Sequence, residues 1–318
     1  MAYTAGDTIL DDEYNTFVNS SSDPYGYNHF AGPGSGEYGL NQSTISTVSA
    51  GDTIAASNWN ALFTGLDNIA NHTNTSITAS SVSAGDTIAI RSALITDLAN
   101  LAAAVAGGST GATALDAATS VGSSTNAATW NGTSTIERSV TFANNNTMRA
   151  FFNAGGFIRI DPSCITGIDG DKDTVFNDLT VTATGNLDLK AQSTTRSGSG
   201  ETLTTNGLAN GFHDLGTSYT TLLKLTSDNS GYTSNTVEYS AKLDAAVNSA
   251  TVLTIKMVSV DADNDDTYTS PNTSGVPANP NEAPRMTLAL LASNPNDTEG
   301  LAADITSASN AEVSNSTS

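Results

Sequence analysis

Cysteine is almost missing from this chain: Cys164 is the only one in 318 residues. One thiol excludes an intrachain disulfide and any zinc site built from cysteines, and its reading is that of a small buried hydrophobe. Tryptophan is nearly as scarce, and Trp59 and Trp130 are too few to line a sugar-stacking cleft. Basic residues are also few, eleven Lys and Arg against thirty-two Asp and Glu, for a net charge of -21. Since those eleven form no patch, neither a nucleic acid nor an anionic membrane surface is an expected partner. No stretch approaches the roughly 20 apolar residues that span a bilayer, and the first residues lack the charged and apolar regions of a secretory leader. His29, His72 and His213 lack metal-ligand spacing, so neither a zinc nor a triad role is expected. Among so many acids, any carboxylate pair is uninformative about glycoside hydrolysis.

What the chain does have is a repeat. The string A-G-D-T-I occurs at Ala5 to Ile9, Ala50 to Ile54 and Ala84 to Ile88, each time ahead of a helical pattern. After the first copy come the acids Asp11 to Glu13, suited to a helix N-terminus, and then Tyr14, Phe17 and Val18. After the second, Trp59, Leu62, Leu66 and Ile69 form one apolar stripe, and after the third so do Leu94, Leu98, Leu101 and Val105, stopped by Gly107-Gly108. A short helix with one apolar stripe has to cover it with a sister copy or another chain. Trp59 and Leu62 are therefore expected to be buried, and Tyr14, Phe17, Trp59, Asn60, Leu62 and Leu66 are the candidate docking residues.

Beyond Gly107 the period changes from 3.6 to 2. Ile136, Val140 and Phe142 alternate with polar residues, as do Leu179, Val181 and Ala183, then Leu187 and Leu189, Leu222 and Leu225, Val237, Tyr239 and Ala241, and the run from Val252 to Val260. Short strands separated by Gly, Asn, Asp and Ser turns predict an antiparallel sandwich. One helix interrupts them, capped by Asn144 or Asn145, with Met148, Phe151 and Phe152 on its apolar face and Gly155-Gly156 as its stop. No Lys-Ser or Lys-Thr follows those glycines, so they are not a phosphate loop. The expected fold class is α+β: a helical repeat region over 1–106, a Gly/Ser/Thr-rich linker over 107–134, a β-sandwich over 135–292 and a polar acidic tail over 293–318. Residues 19–48, rich in Ser, Gly and Tyr, read as a loop between the first two repeats.

The segment Thr141-Phe142-Ala143, followed by Arg149-Ala150-Phe151-Phe152-Asn153-Ala154-Gly155-Gly156-Phe157-Ile158-Arg159-Ile160, resembles the signature of a family of tailed-phage virion structural proteins, frequent in phages of cyanobacteria and marine bacteria. Gly211-Phe212-His213-Asp214-Leu215, with Tyr219 and the strands after it, is similar to a second block of that family. So are the G-D-T-I copies followed by Tyr14-Asn15 or Trp59-Asn60. The third copy departs, with Ala93-Leu94 at the aromatic-Asn position, as a terminal copy would. The resemblance implies an appendage of the virion, non-enzymatic and in the tail, baseplate or neck, usually oligomeric and in contact with other virion proteins; the one-faced repeat helices and Ser/Thr/Asn-rich strand edges, which need covering by copies of the chain, favour a trimer. Its signature residues are Arg149, Phe151, Phe152, Asn153, Gly155 and Gly156. Gly155 is expected at positive φ, and Phe151, Phe152 and Ile158 in the sandwich core. The alternative reading is a carbohydrate-binding or carbohydrate-degrading receptor module on a virus or cell surface.

No cofactor is expected except calcium. Asp169, Asp171 and Asp173 form one cluster of hard oxygen ligands, and Asp261, Asp263, Asp265 and Asp266 another. Neither has the glycine at position six or the glutamate at position twelve of an EF-hand, and a solvated turn is the competing reading.

Overall fold

A computed structural model of the chain describes residues 11–83, 91–111, 113–165, 171–262, 283–296, 301 and 309–317. It divides into two units: one formed by 1–117, 144–156 and 294–306, the other by 118–143, 157–293 and 307–318.

The first unit is helical. Its helices are α1 (Asp11–Asn19), α2 (Tyr27–Phe30), α3 (Ala56–Thr73), α4 (Arg91–Ala106) and α5 (Asn145–Asn153). The apolar stripes of the repeat helices converge on one core in which Tyr14, Phe17, Trp59, Leu62, Leu66, Ile69, Leu94, Leu98, Leu101 and Val105 are all buried. Its aromatic centre is Trp59, edge-on to Tyr14 at 5.2 Å and stacked on Phe63 at 5.8 Å. Burying such rings is the main favourable term available to helices this short. Leu301 joins the same core, and 113–116 bond to 294–296 through Asp116 N–H to the Asn294 carbonyl and Asn296 N–H to the Ala114 carbonyl.

The second unit is built from two antiparallel sheets. Strands β1 (Thr119–Thr125), β2 (Gly132–Thr141), β3 (Phe157–Ile165), β4 (Leu187–Leu189), β5 (Thr194–Arg196), β6 (Thr202–Asn206), β7 (Thr220–Thr226), β8 (Thr236–Leu243), β9 (Val252–Asp261), β10 (Arg285–Ser293) and β11 (Ser309–Thr317) form a five-stranded sheet in the order β1-β10-β3-β4-β5 and a six-stranded sheet in the order β11-β2-β9-β8-β7-β6. Alternation sets their buried faces: Ile158, Ile160, Leu187, Leu189, Leu288 and Leu290 in one sheet, and Ile136, Val140, Val237, Tyr239, Leu253, Ile255 and Met257 in the other. The chain is thus α+β with two antiparallel sheets.

Several boundaries differ from the sequence-based expectation. The stretch 107–134 contains β1 and a buried Trp130, whose Nε1 donates to the Pro284 carbonyl at 2.7 Å. The acidic tail contains β11, hydrogen-bonded along β2, so sheet pairing supplies what apolar burial could not. Leu179, Val181 and Ala183 are not on a strand. After α6 (Asp171–Asn177), a π-helical stretch runs Asp178–Thr184, with Leu179, Thr180, Ala183 and Thr184 buried and Val181 exposed. Its threonines favour strands by propensity, but the helical path buries Leu179 and Ala183, and the hydroxyls of Thr180 and Thr184, also buried, are satisfied by the carbonyls of Phe176 and Leu179.

Candidate functional site

The repeat units are joined by one device used twice. On α1, Asn15 Nδ2 donates to the Val48 carbonyl at 2.9 Å, and the Val48 N–H donates to Asn15 Oδ1 at 2.9 Å. On α3, Asn60 does the same to Val82, at 2.9 and 2.8 Å. An amide side chain carries one donor group and one acceptor, so it closes on a single extended residue as a neighbouring strand would. Val48 and Val82 each lie four residues before the aspartate of the next A-G-D-T-I copy. In the first two copies the asparagine therefore grips the backbone just ahead of the next A-G-D-T-I string. The third copy has Leu94 at that position, buried in the core, and no fourth copy follows. Helix α4 instead offers Asp97, buried, whose carboxylate accepts from the N–H groups of Thr78 and Ala79 and from the Thr78 hydroxyl.

The same pattern recurs on α2, where Asn28 Nδ2 donates to the Ile45 carbonyl and Asn28 Oδ1 accepts from the Ile45 N–H. The 19–48 loop is thus an ordered part of the unit.

Helix α5 carries the signature. Asn144 caps it through the Thr147 N–H at 2.9 Å. Arg149 is buried and makes five hydrogen bonds: Nε to Asn145 Oδ1, Nη1 to the Tyr38 carbonyl, and Nη2 to the carbonyls of Pro33 and Gly34 and to Asn146 Oδ1. Burial lowers the pKa of this guanidinium, and the ring of neutral oxygens offsets its desolvation. One turn later Asn153 Nδ2 donates to the Gly39 carbonyl at 3.1 Å. The i, i+4 pair Arg149 and Asn153 holds the 33–39 loop by its carbonyls. Gly155 has φ +83°, as expected, and a Cβ there would lie 2.9 Å from Thr110. Phe151 and Phe152 are buried with rings edge-on at 4.9 Å. They were expected to share a core with Ile158, but α5 belongs to the first unit and Ile158 to β3 of the second.

Tyr14, Phe17, Trp59, Leu62 and Leu66, the candidate docking residues, lie inside the first unit, and Asn60 is engaged with Val82. Their assignment as a contact surface for other chains is corrected to an internal role, because the apolar stripes cover one another within the chain.

The three histidines have structural neighbours. His72 is buried with Nε2 2.8 Å from the Ala154 carbonyl, His29 stacks on Tyr25, and His213 meets Phe212 edge-on. Burial, then the charge of Asp173, pushes the Cys164 thiol up to about 11, which leaves it a poor nucleophile. Of the proposed calcium ligands, Asp261 Oδ2 accepts from Lys172 Nζ at 2.8 Å with both side chains buried, and Asp173 is buried. Asp169, Asp263, Asp265 and Asp266, and the side chain of Asp171, lie outside the described residues. Among the described residues, no helix is long and apolar enough to cross a membrane and no group of three or more His, Cys, Asp and Glu is placed to hold a metal ion.

Comparison with protein-family models, curated proteins and solved structures finds no match to this chain.

Proposed function

We propose that the chain is a non-enzymatic structural component of a tailed bacteriophage virion, a tail, baseplate or neck appendage protein. Its helical repeat region is the module that attaches, and its two sheets are a β-sandwich that extends from or covers the particle. The observation that carries this reading is the use made of the signature: Arg149 spends five hydrogen bonds on neutral oxygens of its own unit, and Asn153 binds a carbonyl of the same loop. Those residues are spent on architecture, which suits an assembly protein. The Asn15 and Asn60 clamps make three short units into one stiff body, a property required of a part that bears load between other proteins.

The chain acts as a homo-oligomer, a trimer being favoured. Its six-stranded sheet ends in β6, exposed throughout, and in β11, which carries an exposed Val313. Closed symmetry covers such edges with copies of the chain. A calcium ion held by the acidic loops would lessen repulsion between chains of this charge.

An antibody raised against the recombinant chain tests the virion reading. The antigen should co-sediment with density-purified phage particles and resist salt washing. Antigen found only in the lysate would overturn the virion reading, and release of reducing ends from host polysaccharide by the purified protein would favour the carbohydrate-degrading alternative.

A further inference from the structure

Tyr25, His29 and Tyr38 form a triangle of rings at the surface of the first unit. Tyr25 stacks on His29 with centroids 4.4 Å apart and an interplanar angle of 8°, and Tyr38 leans on both at 4.8 Å. All three are half-buried, while Asp23 and Glu37 beside them are exposed. Tyr38 sits in the 33–39 loop that Arg149 and Asn153 hold, its own carbonyl is one of those bound, and Tyr25 and Tyr38 pack on one side against the core of the unit. The Tyr38 phenol is held above its ordinary pKa, first by burial, then by a hydrogen bond and charge from Tyr25, then by the charges of Glu37 and Asp23, which places both carboxylates within electrostatic reach of the rings. Burial disfavours the charged form of His29.

Electron-rich ring faces flanked by two exposed carboxylates suit a cation. We propose that this triangle is a docking surface for an arginine or lysine side chain presented by a basic segment of a different protein, a reading that rests on the virion-assembly role and names the chemistry of one partner. A second copy of this chain is a poor source of that cation. Nine of its eleven basic residues are already engaged, leaving half-buried Lys190 and Arg91, whose side chain lies outside the described residues: Arg138, Arg149 and Lys172 are buried, and Arg159 and Lys224 pair with Asp188 and Glu238. Arg196 and Arg285 bond to carbonyls, and Lys242 and Lys256 lie over the Tyr219 ring. Stacking of guanidinium on tyrosine favours arginine over lysine, since the planar group matches the ring and sheds its water more readily.

The test uses the full chain labelled with 3-fluorotyrosine and followed by fluorine NMR at low ionic strength. Tetra-arginine should shift the Tyr25 and Tyr38 signals saturably, tetralysine more weakly, and maltose not at all. The double variant Asp23→Asn, Glu37→Gln, with both changes exposed, should weaken tetra-arginine binding by about tenfold. Tyr38→Leu should abolish it, with an unchanged circular dichroism spectrum confirming the fold. Saturable shifts from maltose that survive in the double variant would overturn the proposal in favour of a sugar platform. No shift with any probe, or equal tetra-arginine binding by the double variant, would also overturn it. Failure of the virion-assembly reading looks different: the antigen is absent from purified particles while peptide binding is intact.

Discussion

Asn60 and Val82, 22 residues apart, exchange two hydrogen bonds, amide to carbonyl and backbone N–H to amide oxygen. Asn60→Ala removes both and leaves the Val82 backbone unpaired at the entry to the third unit. The expected loss is about 1–3 kcal/mol by urea denaturation, while Asn71→Ala, which removes one exposed 3.4 Å contact to Asp67, should cost under about 0.5 kcal/mol. Equal values for the two variants would show that the clamp holds nothing.

Arg149→Lys keeps the charge but replaces a planar fork with a point donor. It cannot reach the carbonyls of Tyr38, Pro33 and Gly34 together, and these would be left without a partner. The variant should lose about 2 kcal/mol or more in chemical denaturation. A melting temperature matching the parent would mean that the 33–39 loop is held by other contacts.

Gly155 and Gly51 have nearly the same φ, +83° and +88°, but differ in surroundings: a Cβ at 155 lies 2.9 Å from Thr110, and one at 51 meets nothing within 4 Å. Gly51→Ala should therefore show only the cost of left-handed φ, about 1 kcal/mol, and Gly155→Ala that cost plus the clash, about 2–3 kcal/mol. Thermal denaturation of the two side by side separates the terms. A Gly155→Ala protein as stable as Gly51→Ala would show that Thr110 moves aside freely.

His29 gives the first unit a pH response of defined sign. Its pKa is lowered by burial, so the folded state binds this proton less readily than the unfolded chain. The contribution is complete above the unfolded value near 6.5 and is lost as the pH falls through the folded value. Urea midpoints measured from pH 8 to pH 5 should fall in the parent and fall less in His29→Gln. Parallel curves would show that burial of the ring carries no such cost.

The parts most legible in the sequence were those whose pattern is local. The stripe Trp59, Leu62, Leu66 and Ile69 on α3, the Asn144 cap and the Gly155 stop of α5, and the alternation of β8 and β9 could each be read from spacing alone. The 178–184 stretch could not, because Leu179, Val181 and Ala183 alternate like a strand while the helical path buries Leu179, Thr180, Ala183 and Thr184, a set that alternation does not select. β11 was missed for lack of large apolar residues, since it is held by its pairing with β2. In the site, the aromatic-Asn pair was visible as a recurring element, but its purpose depends on Val48 and Val82. The valine-serine step before the second and third A-G-D-T-I copies was the available signal. Three of the five partners of Arg149 lie 111 residues or more away and are backbone carbonyls, which leave no mark on side-chain identity.

The central claim, that this is an assembled structural part of a phage particle, is tested most directly by a cryo-electron microscopy map of the intact virion. Symmetric density is expected in the tail, baseplate or neck into which both units fit separately, with the helical unit toward a neighbouring protein and its Tyr25–His29–Tyr38 surface against a basic segment. A complete map of the particle with no density for either unit would contradict it.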